Sequence, residues 1–120
     1  MFVVRVGADA RVTTESAGTL CEETLCTLLH TDVTERLRAF EVPPAFAEAR
    51  LGLCYFIDGR GGERQLDSNF CGTCLYHTGC PVYGDLIFAA VEQDAPRSMT
   101  EAECHALADW LREQFPFLAP

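Results

Sequence analysis

The run Leu86-Ile87-Phe88-Ala89-Ala90-Val91 constrains this chain more than any other feature. It is apolar throughout, without the alternation of a half-solvated strand, so it reads as a strand buried inside the protein. A buried strand needs partners, and the rest of the chain offers them. Phe2 to Val6 is β-rich and weakly alternating. Val33 to Val42 carries Val33, Leu37, Ala39, Phe40 and Val42 among charges, and Pro43-Pro44 ends it because proline cannot donate to a ladder. Ala49 to Ile57 is the best strand pattern. Asp58-Gly59-Arg60-Gly61-Gly62 follows as a turn, and Glu63 to Leu66 reads as a short returning strand.

Helices fill the intervals. Thr19-Leu20-Cys21-Glu22 has the form of a capping box, and Cys21, Leu25, Leu28 and Leu29 recur at helical spacing up to about His30. Thr13 to Gly18 before it reads as a polar connection. Asp67-Ser68-Asn69 supplies N-caps for a helix over Phe70 to His77. Thr100-Glu101-Ala102-Glu103 is a second capping box, with Met99 and Cys104 placed as a hydrophobic staple. Cys104, Leu107, Ala108, Leu111 and Phe115 mark one helix face, and Pro116 stops it. The predicted order is β-α-β-β-β-α-β-α. It describes a single α+β domain over residues 1–120, a small mostly antiparallel sheet with two or three helices packed against it as one layer pair.

Charge bounds the partners. The chain carries 18 acidic and 9 basic residues, a net charge of −9, and every basic side chain is arginine. Phosphate backbones and anionic lipid surfaces repel such a domain, so direct nucleic-acid or membrane binding is not expected, whereas a partner with a basic surface is. The apolar start at Phe2 is too short for a signal peptide, and no stretch approaches the ~18–20 apolar residues of a membrane span, so a cytoplasmic location is expected. An odd count of seven cysteines in a reducing compartment argues against a disulfide framework. Cys21, Cys26, Cys54 and Cys104 fall within apolar patterns and read as small core residues.

The remaining cysteines carry the chemistry. Cys71, Cys74, His77 and Cys80 follow one another at three-residue steps, and thiolates with imidazole are the preferred ligands of a tetrahedral zinc ion. Four ligands within ten residues would have to wrap one ion unaided, and on a helix Cys71, Cys74 and His77 drift around the axis while Cys80 falls past its end. The alternative is that these are reduced cysteines used as small helix residues. Cys71-Gly72-Thr73-Cys74 also has the form of a redox pair at a helix N-terminus, but a polar segment stands where a thioredoxin-like site needs a strand. Glu22-Glu23 and Glu101 with Glu103 lie in first helical turns, where capping and the helix dipole explain them. His30 and His105 have no partner fixed by sequence, and no acid, base and nucleophile set can be assembled, so an enzyme is not expected.

The N-terminal strand, the Thr-Leu-Cys-Glu-Glu-Thr-Leu helix, the segment Leu51 to Gly59, the run Asn69 to Leu75, Tyr83-Gly84-Asp85-Leu86-Ile87 and the closing Thr-Glu-Ala-Glu helix together resemble a family of uncharacterised small proteins carried by phages and conjugative elements of bacteria. In that family Ala and Thr commonly stand where this chain has Cys71 and Cys74, which favours the non-metal reading. The resemblance implies a mobile element inside a bacterial cell and a non-enzymatic interaction protein there. Such a protein could inhibit a host defence protein, in the manner of an anti-CRISPR, by covering a basic surface. Two alternatives stand beside it: a zinc-stabilised module built on Cys71, Cys74, His77 and Cys80, and a pocket protein that sequesters a nucleotide signal.

Overall fold

A computed structural model describes residues 1–76, 78 and 80–119. The fold is α+β. Six strands form one antiparallel sheet: β1 Phe2–Val6, β2 Val12–Ser16, β3 Thr34–Arg38, β4 Gly52–Asp58, β5 Leu86–Glu92 and β6 Ala95–Arg97. The order across the sheet is β2-β1-β5-β4-β3, and β6 pairs with the far end of β5, beyond the stretch that β1 covers. Four helices join them: α1 Glu22–Leu29, α2 Pro44–Glu48, α3 Phe70–Tyr76 and α4 Glu101–Gln114.

The apolar run that reads as a buried strand is the middle of the sheet, and both of its faces are covered. Leu86, Phe88 and Ala90 join Val4, Val6, Leu53 and Tyr55 in a core with residues of α2, α3 and α4. Ile87 and Ala89 point the other way and join Val3, Cys54 and Phe56 under Leu25 and Leu29 of α1. The molecule therefore has three layers where one layer pair was expected. A strand that is apolar on both faces needs cover on both.

Several local expectations are corrected. Thr13 to Gly18 is not simply a connection, because Val12–Ser16 pairs with β1 as an edge strand whose only buried residue is Val12. The N-cap of α1 is Cys21, with no side-chain cap; Glu22, instead of reaching back, accepts hydrogen bonds from the Thr34 amide (2.9 Å) and the Thr34 hydroxyl (2.7 Å). Cys21 is exposed and Cys26 half-buried, so only Cys54 and Cys104 of the four assigned to the core are buried there. Pro43 and Pro44 do not merely stop a strand. They open α2 as its N-cap and first residue, and α2 buries Phe46. The best strand begins at Gly52, because Ala49 caps α2 and Arg50 takes a left-handed conformation. Glu63 to Leu66 forms no strand: hydrogen bonds from the Arg64, Gln65 and Leu66 amides to Arg60, Gly62 and Gly61 close it as turns. The capping box at Thr100 and Glu103 forms as predicted, and Met99 and Cys104 are both fully buried. The hairpin between β5 and β6 turns through Gln93 and Asp94, both at positive φ, as a two-residue turn of the kind that matches strand twist.

Candidate functional site

The structure describes three of the four expected metal ligands. Cys71 is buried in the core and Cys74 partly so, while Cys80 is exposed. Burial, with Cys74 adding to it, pushes the Cys71 thiol up to about 12, the opposite of what a ligand or redox thiolate requires. His77 lies outside the described residues. Among the described residues no three His, Cys, Asp or Glu side chains gather closely enough to hold a metal ion. Asn69 before them is fully engaged. Its amide donates to the carbonyls of Gly84 (2.9 Å) and Val6 (3.2 Å), and its side-chain oxygen accepts from the Gly72 amide (3.2 Å). It ties α3 to the end of the sheet.

A second polar cluster lies at the C-terminal end of α1. Asp58 is 4% exposed. Its carboxylate accepts from the Thr31 hydroxyl (2.8 Å), the Arg60 amide (2.9 Å) and the Arg64 guanidinium (2.6 Å). Arg64 also donates to the carbonyl of His30, and Arg5 to that of Leu28 (2.6 Å), so two cations close the C-terminal end of α1. Arg5 in turn pairs with Glu15 and Asp85. These groups satisfy one another. They hold α1 on the sheet and offer little to a ligand.

The third cluster has the opposite character. Alternation along β3 turns Leu37 inward and sends Arg36 and Arg38 to the other face, opposite Phe56 and Cys54. That is the face on which α1 packs through Leu25 and Leu29, yet Arg36 and Arg38 remain exposed. Arg50, exposed after α2, comes to the same end. A groove of about 850 Å³ is lined there by Arg38, Phe40, Arg50, Gly52, Tyr76 and Asp94, among others, and an adjoining hollow of about 230 Å³ by Arg36, Arg38, Gly52, Cys54, Val91 and Asp94. Gly52 contributes no side chain to fill it. Burial pushes the Cys54 thiol up to about 11, and the Arg36 guanidinium partly opposes that rise.

Arg5, Arg11, Arg60, Arg64, Arg97 and Arg112 each form an ion pair with a carboxylate; among the described residues Arg36, Arg38 and Arg50 form none. Across the groove and its adjoining hollow three guanidiniums stand against the Asp94 carboxylate, a cationic lining in a chain of net charge −9. Sequence reasoning read Val33 to Val42 as a strand mixed with charges and passed over these residues. The signal was the Arg-x-Arg spacing, which places two like charges side by side on one face of a strand. Among the described residues no helix is long and apolar enough to cross a membrane. No family model matches this chain, and no curated protein or solved structure matches it significantly.

Proposed function

We propose that this protein is a non-enzymatic interaction module that engages a negatively charged partner at the groove formed by Arg36, Arg38 and Arg50. The observation that carries the reading is charge left uncompensated in one place. The other arginines are matched within the fold; among the described residues these three form no ion pair, Arg38 and Arg50 lining the groove and Arg36 with Arg38 the adjoining hollow. Uncompensated guanidiniums beside a concavity are a common means of recognising carboxylate or phosphate. The polar groups around Asp58, Asp85 and Asn69 saturate one another, which supports a binding role over a catalytic one. The test is an amide-shift titration of isotope-labelled protein with a carboxylate-rich peptide and, separately, with a nucleoside polyphosphate. Signals of Arg38, Gly52, Leu53 and Val91 are expected to move with one of them and to stay still in the Arg36→Glu/Arg38→Glu/Arg50→Glu variant. Signals that move with neither ligand, or that move equally in the variant, would overturn the reading.

A second reading keeps the acidic exterior as the contact, covering a basic surface of a host defence protein, and the net charge of −9 favours it. The same variant separates the two. Added negative charge would strengthen that complex and weaken one made through the groove.

A further inference from the structure

The groove meets a sheet edge at Arg38, and the hydrogen bonding of that edge is selective. Among the described residues β3 has β4 on one side and no strand on the other. Its register with β4 pairs Thr34 with Asp58, Arg36 with Phe56 and Arg38 with Cys54. The Gly59 amide donates to the Val33 carbonyl (2.9 Å) and the Ala39 amide to the Leu53 carbonyl (3.0 Å), so the odd-numbered residues of β3 are the ones bonded to β4. The amides and carbonyls of the even-numbered residues, Thr34, Arg36 and Arg38, therefore point outward. Two flanking amides are closed off within the chain. The Thr34 amide donates to Glu22, and the Phe40 amide donates to the Leu75 carbonyl of α3 (3.2 Å). Between them, the amide and carbonyl of Arg36 and of Arg38 meet no partner among the described residues, a short window with their guanidiniums beside it.

We propose that this window receives an extended acidic segment of another protein as an added antiparallel strand. The inference rests on the groove reading and names its partner class. An incoming strand would place two of its residues, i and i+2, directly opposite Arg38 and Arg36, each exchanging an amide and a carbonyl bond with β3. Their side chains would fall on the same face as the two guanidiniums. Glutamate or aspartate at both positions would pair with them, so the motif is acidic-x-acidic. Charge argues against a second copy of this chain as the occupant. Pairing β3 with itself would set Arg36 opposite Arg38 and Arg38 opposite Arg36, a destabilising like-charge arrangement, and two chains of net charge −9 repel. Arginines on an edge also discourage indiscriminate strand pairing. A partner that neutralises them removes that barrier selectively.

The experiment uses a fluorescent peptide with Glu-Val-Glu at its centre, measured by anisotropy against the full chain. Three changes are each expected to weaken binding about tenfold or more: Arg36→Ala/Arg38→Ala in the protein, Gln for both glutamates in the peptide, and N-methylation of the two glutamate amides. Arg112→Ala, at a distant helix, is expected to leave it unchanged. Amide hydrogen exchange at Arg36 and Arg38 is expected to slow on binding. If the N-methylated peptide binds as well as its parent while the arginine variant fails, strand addition is wrong and the groove reading stands. If peptides fail but a nucleoside polyphosphate moves the groove signals, the partner class is wrong. If no anion binds in an arginine-dependent way, both fall.

Discussion

Gly72 sets how closely α3 approaches the sheet, and replacing it with alanine puts two known effects in opposition. An added Cβ would stand 2.8 Å from Leu86 Cδ2, 3.1 Å from Leu86 Cδ1 and 3.0 Å from Val82 Cγ1, well inside the ~3.5–4.0 Å of a relaxed carbon contact. Leu86 is fully buried in a central strand and Val82 is nearly so, so neither can swing into solvent. Overpacking of this kind costs about 1–3 kcal/mol. Against it, alanine is favoured over glycine in a helix by up to about 1 kcal/mol, and less here because Gly72 lies in the first turn of α3. The net expectation for Gly72→Ala is a loss of about 1–2 kcal/mol. With a urea m-value of about 1.5 kcal/mol per molar for a chain of this size, the midpoint should fall by about 1 M. The buried Trp110 supplies the fluorescence readout. Two further variants isolate the cause. Leu86→Val removes the clashing Cδ atoms, so it should cost less in the Gly72→Ala background than alone. Tyr55→Phe removes the 2.8 Å bond from the Tyr55 hydroxyl to the Gly72 carbonyl and should cost about 1 kcal/mol by itself. An unchanged or higher midpoint for Gly72→Ala would refute the close-approach argument. The consequence reaches the groove, because Tyr76 at the end of α3 lines it and Leu75 closes the Phe40 amide.

The cysteines give three further expectations. Burial raises the thiols of Cys54 and Cys104 to about 11 and that of Cys71 to about 12. An acid whose pKa is higher folded than unfolded contributes stability that is intact below the unfolded value and lost as pH rises above it, so stability should hold up to about pH 9 and decline between about 9 and 12. A native thiol titration with a disulfide reagent should label exposed Cys21 and Cys80 quickly and leave Cys54, Cys71 and Cys104 protected until unfolding; fast labelling of Cys71 would show that α3 is not seated as described. Elemental analysis of purified protein should find far less than one zinc per chain, because Cys71 faces the core; stoichiometric zinc would restore Cys71, Cys74, His77 and Cys80 as ligands.

What was legible in the sequence was whatever depends on local pattern. The apolar run at Leu86, the capping box at Thr100 and the helix stop at Pro116 each contain their own signal, and each forms. What was not legible depends on partners distant in the chain. Val12–Ser16 is a polar edge strand held by pairing with β1, and a solvated edge has no hydrophobic signature. Glu22 looked like half of a capping box because sequence shows only its near neighbours, whereas its partner is Thr34, across a loop. Pro43-Pro44 was read for what proline forbids in a strand, and not for its fitness as a helix start. The cysteine cluster is ambiguous for a related reason. Regular spacing is equally consistent with ligands and with small helix residues, and it does not tell that Cys71 is buried while Cys80 is exposed.

Net charge is the clearest case of a whole-chain quantity that misdirects a local inference. A balance of −9 points toward a basic partner only if the charges act as a sum. At physiological ionic strength the screening length is about 8 Å, so a carboxylate on the far side of the domain contributes little at Arg36. What a ligand meets is the local arrangement, and locally the signs are sorted. Arg5, Arg60, Arg64 and Arg97 are each held by carboxylates within the fold. Arg36 and Arg38 sit on an edge where neither has an acid within pairing distance among the described residues, and Arg50 arrives beside them from the end of α2. The acidic exterior then gains a different meaning. It would disfavour an acidic segment elsewhere and spare the β3 edge with its two arginines, so that charge at a distance and charge at the window both favour the same register.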